Sequence, residues 1–382
     1  MNKLVLCTTG TSIGKGCEEL REAAKKGHPW EHESVPGLKQ CIRDRLKDID
    51  LSQDQEQRKC SAEMNSLNRL KLCEDDRVVL LATDTADGRA TSEVLRETIL
   101  KTYGMGEKQV ELKHVVGLQV RDSEKLRKEG LRNFVNIVLD YLADEQIRYE
   151  YEVILNPTGG FKGVVPFLTI LGMLYRRRSV YIFEHAEELI DLPPLPFAFD
   201  LNLYQRAQKA LQRIEQETAV REEIFFDAID GYCPEERDLF LSFTEPVDSS
   251  GNITLSPLAF CLLKIETEGS RPPKIRSQVR DFLKRDLGDS GKILRTMISN
   301  CSSPLWRNTH YHTWSRDKTD LIIMKRSASS ERLAGFLHEG VFHVTHAFSS
   351  HDKYEKELEN KFRANYNPSE FTEWASGAAG VS

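Results

Sequence analysis

The stretch Asn156-Pro157-Thr158-Gly159-Gly160-Phe161-Lys162 constrains this chain more than any other. Before it, Tyr151-Glu152-Val153-Ile154-Leu155 reads as a buried strand, and after it Val164 to Tyr175 is apolar over a helical length. A strand, a glycine turn and a helix in succession aim free backbone N–H groups and the positive end of a helix dipole at an anion. The chain opens the same way: Leu4-Val5-Leu6-Cys7 runs into Thr8-Thr9-Gly10-Thr11-Ser12-Ile13-Gly14. Two such turns in one α/β unit point to one pocket for a ligand with several phosphates.

At 382 residues, two or three domains are expected. No apolar run approaches the roughly 20 residues of a membrane span, and a basic-then-apolar leader is missing, so no signal peptide and no membrane partner are expected. The eight cysteines form no C-x-x-C pair, which disfavours a disulfide framework or a zinc site and fits a reducing cytoplasm. Charge is unevenly spread. From Arg271 onward 18 basic residues face 13 acidic ones, whereas the rest of the chain has 35 against 46, and six of the ten histidines follow residue 300. A basic, histidine-rich tail on an acidic body suits an anionic polymer, or is simply a solvated basic face.

Over residues 1–195 strand candidates (Lys3–Thr8, Arg77–Thr83, Val110–Gly117, Glu150–Leu155, Ser179–Phe183) alternate with helix candidates (Ala90–Lys101, Asp122–Glu145, Gly160–Leu174). That alternation predicts an α/β, Rossmann-like domain with a mainly parallel sheet, its ligand beyond the carboxyl ends of the strands. Residues 15–75 read as a polar helical insertion. After Leu192-Pro193-Pro194-Leu195-Pro196, residues 196–270 read as a helical or winged-helix-like linker domain, with Ser256 as an N-cap and Pro257 at the first helical position. Residues 271–382 read as an α+β domain. Two helices, Ile275–Asp286 and Lys292–Ser299, precede four strands of an antiparallel sheet, Arg307–Trp314, Asp320–Arg326, Glu331–Leu337 and Val341–Phe348. A helix over Asp352–Arg363 follows. The turns are expected at Arg316-Asp317-Lys318, Ala328-Ser329-Ser330 and Glu339-Gly340.

Four segments would meet at the carboxyl edge of the parallel sheet. They supply Gly10, Thr11 and Ser12, then Thr83, Asp84 and Thr85, then Gln119, then Asn156, Thr158, Gly159, Gly160 and Lys162. Hydroxyls donate, glycines admit phosphate to the backbone, and Lys162 is the one strong cation of the set. Neither a P-loop nor a G-x-G-x-x-G is present, which counts against ATP hydrolysis and a dinucleotide. The early T-G-T-S turn, the Thr-Asp-Thr loop leading to Thr91-Ser92-Glu93, and N-P-T-G-G-F-K before an apolar helix together resemble the CARF domain of CRISPR-associated proteins, over about residues 1–190. The resemblance implies a cyclic oligoadenylate activator, with cyclic tetra-adenylate favoured, and a homodimer whose two-fold axis matches an even-membered ring. Some relatives also cleave the ring slowly, and Ser12 and Lys162 are the residues to test for that.

Most proteins resembling this family carry a second domain that acts when the first is occupied. An Arg-x4-His pattern of HEPN ribonucleases occurs at Arg307–His312, but the alternation of Thr309, Tyr311 and Thr313 with His310, His312 and Trp314 reads as strand, and HEPN chemistry needs a helix. The α-α-β-β-β-β-α order over about residues 275–365 is instead similar to RelE-family toxins, which cut mRNA in the ribosomal decoding site. It rests on Leu321–Arg326, Arg332–Phe336 and Val344–Phe348. That chemistry needs a base for the 2′-hydroxyl, cations on the pentacoordinate phosphorane and an acid for the leaving 5′-oxygen, and no metal. Lys325, Arg326 and Arg332 are the expected catalytic cations. His351 and Lys353 follow the last strand where the family carries a further basic residue, and histidine titrates near neutrality. His346 and His310 are further candidates, and Tyr354 stands where the family places a functional Tyr or Lys. Lys325 and Arg326 as guards of an exposed strand are the plain alternative. Two other functions compete: a ligand-responsive transcription regulator using residues 230–266, and a ring-degrading enzyme. From Ser256 to Glu266 only Lys264 is basic, which argues against a DNA-recognition helix there.

Overall fold

The protein's structure, a computed structural model, describes residues 2–144, 147, 150–160, 162–182, 188–193, 200–247, 249–312, 321–326, 329–359 and 366–375. The chain divides into two compact units, Met1–Pro196 and Phe197–Ser382.

In the first unit, β1 (Asn2–Thr8) is followed by four helices, α1 (Glu18–Lys26), α2 (Val35–Leu46), α3 (Asp54–Cys60) and α4 (Ala62–Arg69). Then come β2 (Arg77–Ala82), α5 (Ala86–Tyr103), β3 (Val110–His114), α6 (Leu131–Ala143), β4 (Tyr151–Asn156), α7 (Val165–Leu174), β5 (Arg178–Tyr181) and β6 (Ile190–Leu192). The strands form one sheet in the order β3-β2-β1-β4-β5-β6, parallel except for the β5–β6 pair. Leu4 to Cys7 and Val78 to Leu80 have no exposed surface, as expected of strands covered on both faces. The helical insertion is present: Leu20, Leu38, Ile42, Met64 and Leu67 join Val5, Cys7, Val78 and Leu80 in one core. α5 begins where the Thr85 side chain accepts the Gly88 N–H and stops at Gly104, whose φ of 67° is left-handed.

The second unit begins with α8 (Leu201–Glu217), β7 (Val220–Arg221), α9 (Glu222–Asp227), α10 (Arg237–Leu241), β8 (Thr244–Pro246), β9 (Asn252–Leu255) and α11 (Pro257–Gly269). β7, β9 and β8 form a small antiparallel sheet, so this stretch is not purely helical. The Ser256 side chain caps α11 by accepting the Ala259 N–H, with Pro257 in the first turn. Next come β10 (Lys274–Ile275), α12 (Ser277–Arg285), α13 (Asp289–Asn300), α14 (Pro304–His310), β11 (Tyr311–His312), β12 (Ile322–Lys325), β13 (Arg332–His338), β14 (Val341–Phe348), α15 (His351–Glu359) and β15 (Thr372–Glu373).

Two expectations for this unit are corrected. The strand expected over Arg307–Trp314 is helix through His310, because Ser303 caps the N–H of Trp306 and Pro304 starts the turn. The sheet, ordered β11-β12-β13-β14-β10-β15, is not wholly antiparallel, since β10 lies parallel to β14. The turn at Arg316-Asp317-Lys318 lies outside the described residues. The hairpin at Glu339-Gly340 has φ values of 50° and 74°, the geometry of a two-residue primed turn.

One face of this sheet packs Met324, Leu333, Phe342 and Val344 on Val279, Leu283, Leu294 and Met297 of α12 and α13. The opposite face places Ile323, Ala334 and Phe348 against Tyr354 of α15. The β13–β14 register slips at Ala334/Gly335, with Ala334 opposite His346 and Gly335 opposite Val344. That bulge puts His343 and His346, three residues apart, on the same face.

Candidate functional site

The strand order of the first sheet reverses between β1 and β4, so the two glycine turns meet at the topological switch point. They touch backbone to backbone. A Cβ on Gly10 would stand 2.5 Å from Gly160 N, and one on Gly160, at φ 81°, would collide with Thr9 O. Thr8 donates its hydroxyl to Gly159 O. Under both turns lies the carboxylate of Glu63 from α4, with no exposed surface. It accepts the Gly10 N–H at 2.6 Å and the Ser12 hydroxyl at 2.9 Å, and Ser12 Oγ in turn accepts the Ala62 N–H at 3.1 Å. A side chain on Gly159 would run into Glu63 Oε1. Burial, reinforced by the charge of Glu63, pushes the Cys7 thiol well up from its ordinary value. Sequence reasoning missed Glu63, one acid among many in a polar insertion.

These contacts sort the ligand residues. Gly10 N–H and Ser12 Oγ are committed inward. Asn156, fully buried, gives Nδ2 to Ser66 Oγ at 2.7 Å, and buried Thr158 accepts the Ile182 N–H at 3.3 Å. Both therefore hold the second turn in place. Thr11 and Lys162 are exposed. Lys162 Nζ reaches Thr158 O at 3.1 Å and lies 5.4 Å from the Tyr181 ring centre. The outward surface of the cradle is therefore Thr11, Gly160 and Lys162.

Beyond β2 and β3, Thr83 Oγ1 and Thr85 Oγ1 lie 3.2 Å apart. Asp84 accepts from Gly117 N–H at 2.9 Å, pairs with His114 Nε2 at 2.6 Å and has Lys125 Nζ at 3.4 Å. Burial alone would raise the Asp84 carboxyl; the Gly117 and His114 hydrogen bonds and the nearby cations outweigh it and hold it below its ordinary value. Gln119 spends its amide on its own loop, accepting from the N–H groups of Arg121 and Asp122 and donating to Asp122 O.

In the second unit, Lys325 stands directly across from Arg332, which is itself opposite Phe348. Lys325 and Arg326 are exposed, whereas Arg332 is buried, with Nη1 donating to Ser329 O at 2.6 Å and Glu331 O at 2.7 Å. Burial pulls the Arg332 guanidinium down, and the field of the Tyr354 phenol and Glu331 opposes it. Burial pushes Tyr354 up to about 12. His351 is exposed, edge-on to Tyr354 with ring centres 5.8 Å apart, and its Nδ1 is 3.6 Å from Glu355. Lys325, Arg332, Tyr354 and His351 thus form one neighbourhood. Lys353 lines a cleft of about 340 Å³ with Phe282, Phe348 and Lys356. Burial drives His346 down to about 4, which makes it a neutral imidazole at physiological pH. His310 is stacked on Trp306 at 4.3 Å. Arg307 is buried in α14 and gives Nη1 to Ser302 O at 3.0 Å, while His312 stands in β11, so the Arg-x4-His pattern does not lie on one helix as a HEPN motif would need. Among the described residues no three His, Cys, Asp or Glu are grouped to hold a metal ion, and no helix is long and apolar enough to cross a membrane.

No curated protein matches the chain. A solved structure, described as Can2 from Sulfobacillus thermosulfidooxidans in complex with cyclic tetra-adenylate, is similar at 13% identity over 97% of this chain and 83% of the other, with a TM-score of 0.24. A superposition that loose adds nothing to the fold described above. Residues 58–195, from α3 past the second glycine turn to the end of the first unit, match the model of a family described as CRISPR-associated protein (Cas_APE2256).

Proposed function

We propose that this chain is a ribonuclease of CRISPR defence that is switched on by a cyclic oligoadenylate. Residues 1–195 would take the activator, residues 196–270 would transmit its arrival, and residues 271–382 would cut mRNA on the ribosome. The observation that carries this reading is the meeting of two glycine turns at a switch point, inside a unit similar to a CRISPR-associated family, in a chain that also pairs Lys325 with Arg332 on a separate sheet. Thr11, Gly160 and Lys162 face the phosphates, and an even-membered ring, the tetra-adenylate first, suits a homodimer that offers this surface twice. At the other end, Lys325 and Arg332 stabilise the phosphorane, and exposed His351 takes or returns the proton. The 2′-oxygen attacks the adjacent phosphorus, the P–O5′ bond breaks, and the products are a 2′,3′-cyclic phosphate and a 5′-hydroxyl. Ligand gating requires that the ring bind one arrangement of the protein more tightly than another. The test is to incubate the chain with translating ribosomes, with and without each ring size, and to map mRNA ends. Cuts that appear only with one ring size are expected, and message left whole under every condition refutes the activity.

A ligand-responsive DNA-binding regulator is the second reading, favoured by the helix–strand–helix–helix–strand–strand order from α8 to β9, the order of a winged helix. In that order α10 and the residues leading into it, not α11, would meet DNA. They carry Glu235, Glu236 and Asp238 against Arg237 alone, a charge that repels phosphate. Duplex binding that responds to the ring would restore this reading.

A further inference from the structure

Away from the glycine turns, the loop 28–32 of the helical insertion covers the ends of β2 and β3 with rings. His28 and His32 stack at 3.7 Å and 15°, and Trp30 stacks on His114 at 3.9 Å and 8°. The loop is pinned by Ala86 N–H to His28 O at 2.9 Å, and Arg89 lies 5.7 Å over the Trp30 ring. His114 is held in turn by Asp84 at 2.6 Å. Next to these rings stands Asp87, in the first turn of α5 and only 7% exposed, whose Oδ1 is shut from solvent and accepts no hydrogen bond. The His28 imidazole and the Arg121 guanidinium lie within its electrostatic reach. Burial pushes the Asp87 carboxyl up against the opposing hydrogen bonds of the Thr85 side chain and the Asp87 and Gly88 N–H groups, and a further donor at Oδ1 would offset part of that cost. Flat rings in parallel contact beside such an acceptor suit a nucleobase, which brings a π-face and an exocyclic N–H.

We propose that this corner is a purine-binding subsite, in which a base stacks on Trp30 and gives its exocyclic N–H to Asp87. β3 is two strands from β1, roughly 10 Å, a gap that a single nucleotide spans from its base to a phosphate over the glycine cradle. The inference rests on the adenylate reading of the ligand and deepens it by naming the residues that select the base. It also gives the loop rings a role, since Trp30 stacked on His114 starts a column that the base extends.

The probes are adenosine 5′-monophosphate, purine riboside 5′-monophosphate, which lacks only the exocyclic amine, and cyclic tetra-adenylate, each titrated into the full chain with tryptophan emission recorded. Adenosine monophosphate is expected to quench the emission of the native protein, and Trp30→Phe is expected to lose that quench. The native protein is expected to favour adenosine monophosphate over the amine-less analogue by about tenfold, the worth of one buried hydrogen bond, and Asp87→Leu is expected to remove the preference. Equal quenching in Trp30→Phe, or a preference that is absent from the native chain or survives Asp87→Leu, overturns the proposal. Should Asp87→Leu fail to fold, the half-buried Trp30 and the two-analogue comparison on the native chain still decide it. If both variants bind cyclic tetra-adenylate as the native chain does, the subsite falls and the adenylate reading stands. If the native chain ignores the ring yet distinguishes the two monophosphates at Trp30, the subsite stands and the adenylate reading falls.

Discussion

Glu63 takes the Gly10 N–H at 2.6 Å from beneath the first glycine turn while its carboxylate blocks any side chain at Gly159 of the second. One buried acid thus fastens the first turn to the N-terminal end of α4 and fills the space beside the second. Glu63→Ala leaves the Gly10 N–H and the Ser12 hydroxyl without their acceptor. A loss of about 3 kcal/mol in denaturant titration is expected. Glu63→Gln, which keeps one acceptor oxygen, should lose about half of that. An alanine variant as stable as the native chain would mean that the turns hold their shape without it.

Lys325 and Arg332 stand opposite each other but differ in burial, so their substitutions separate. Exposed Lys325→Ala should leave stability within about 0.5 kcal/mol and lower ring-stimulated RNA cleavage on the order of 100-fold. Arg332→Ala should lower both, because the guanidinium also holds Ser329 O and Glu331 O. Arg332→Lys is not expected to rescue cleavage, since an ammonium cannot offer phosphate the planar guanidinium fork. Cleavage unchanged in Lys325→Ala would take Lys325 out of the chemistry.

His346 supplies a pH dependence with a defined sign. Its folded value of about 4 lies below its ordinary 6.5 because burial penalises the imidazolium. The unfolded chain therefore binds the extra proton first, and stability falls as pH drops from 6.5 to about 4. Allowing for partial exposure and screening, the loss is about 2 kcal/mol. His346→Gln should flatten this part of the stability curve, measured by denaturant midpoints across the window. A curve of unchanged slope in the variant would assign the dependence to other groups.

The parallel sheet and both glycine turns are legible in the sequence because β1, β2 and β4 carry continuous apolar runs and their punctuation is local. Ser256-Pro257 is read as a helix start, and the structure agrees. Ser303-Pro304 is the same signal, yet the alternating residues beyond it read as strand through His310, where the cap wins. β10 and β15 are two residues each and exist only by pairing with β14 and with each other, so no local pattern announces them. The bulge that aligns His343 with His346 is likewise a property of the pair of strands. Glu63 and Trp30 escape notice because each acts across a long span of chain. Only the fold brings the insertion back to the turns and to the ends of β2 and β3.

The cradle itself separates Ser12 from Lys162, although both sit on glycine turns. Ser12 points inward to Glu63 and Ala62, whereas Lys162 is exposed beside Tyr181. A phosphate arriving from solvent therefore meets the ammonium and not the hydroxyl. Lys162→Ala should weaken binding of an adenylate ring about tenfold and reduce the slope of log affinity against log salt by about one, the signature of a lost phosphate contact. Ser12→Ala should leave that slope alone and instead lower stability by about 1 kcal/mol, the worth of a hydrogen bond to a charged group at a half-buried site. Calorimetry at three salt concentrations distinguishes them. If Ser12→Ala, and not Lys162→Ala, flattens the salt dependence, the turn must open toward the ligand, and the inward arrangement of Gly10, Ser12 and Glu63 belongs to the empty state alone.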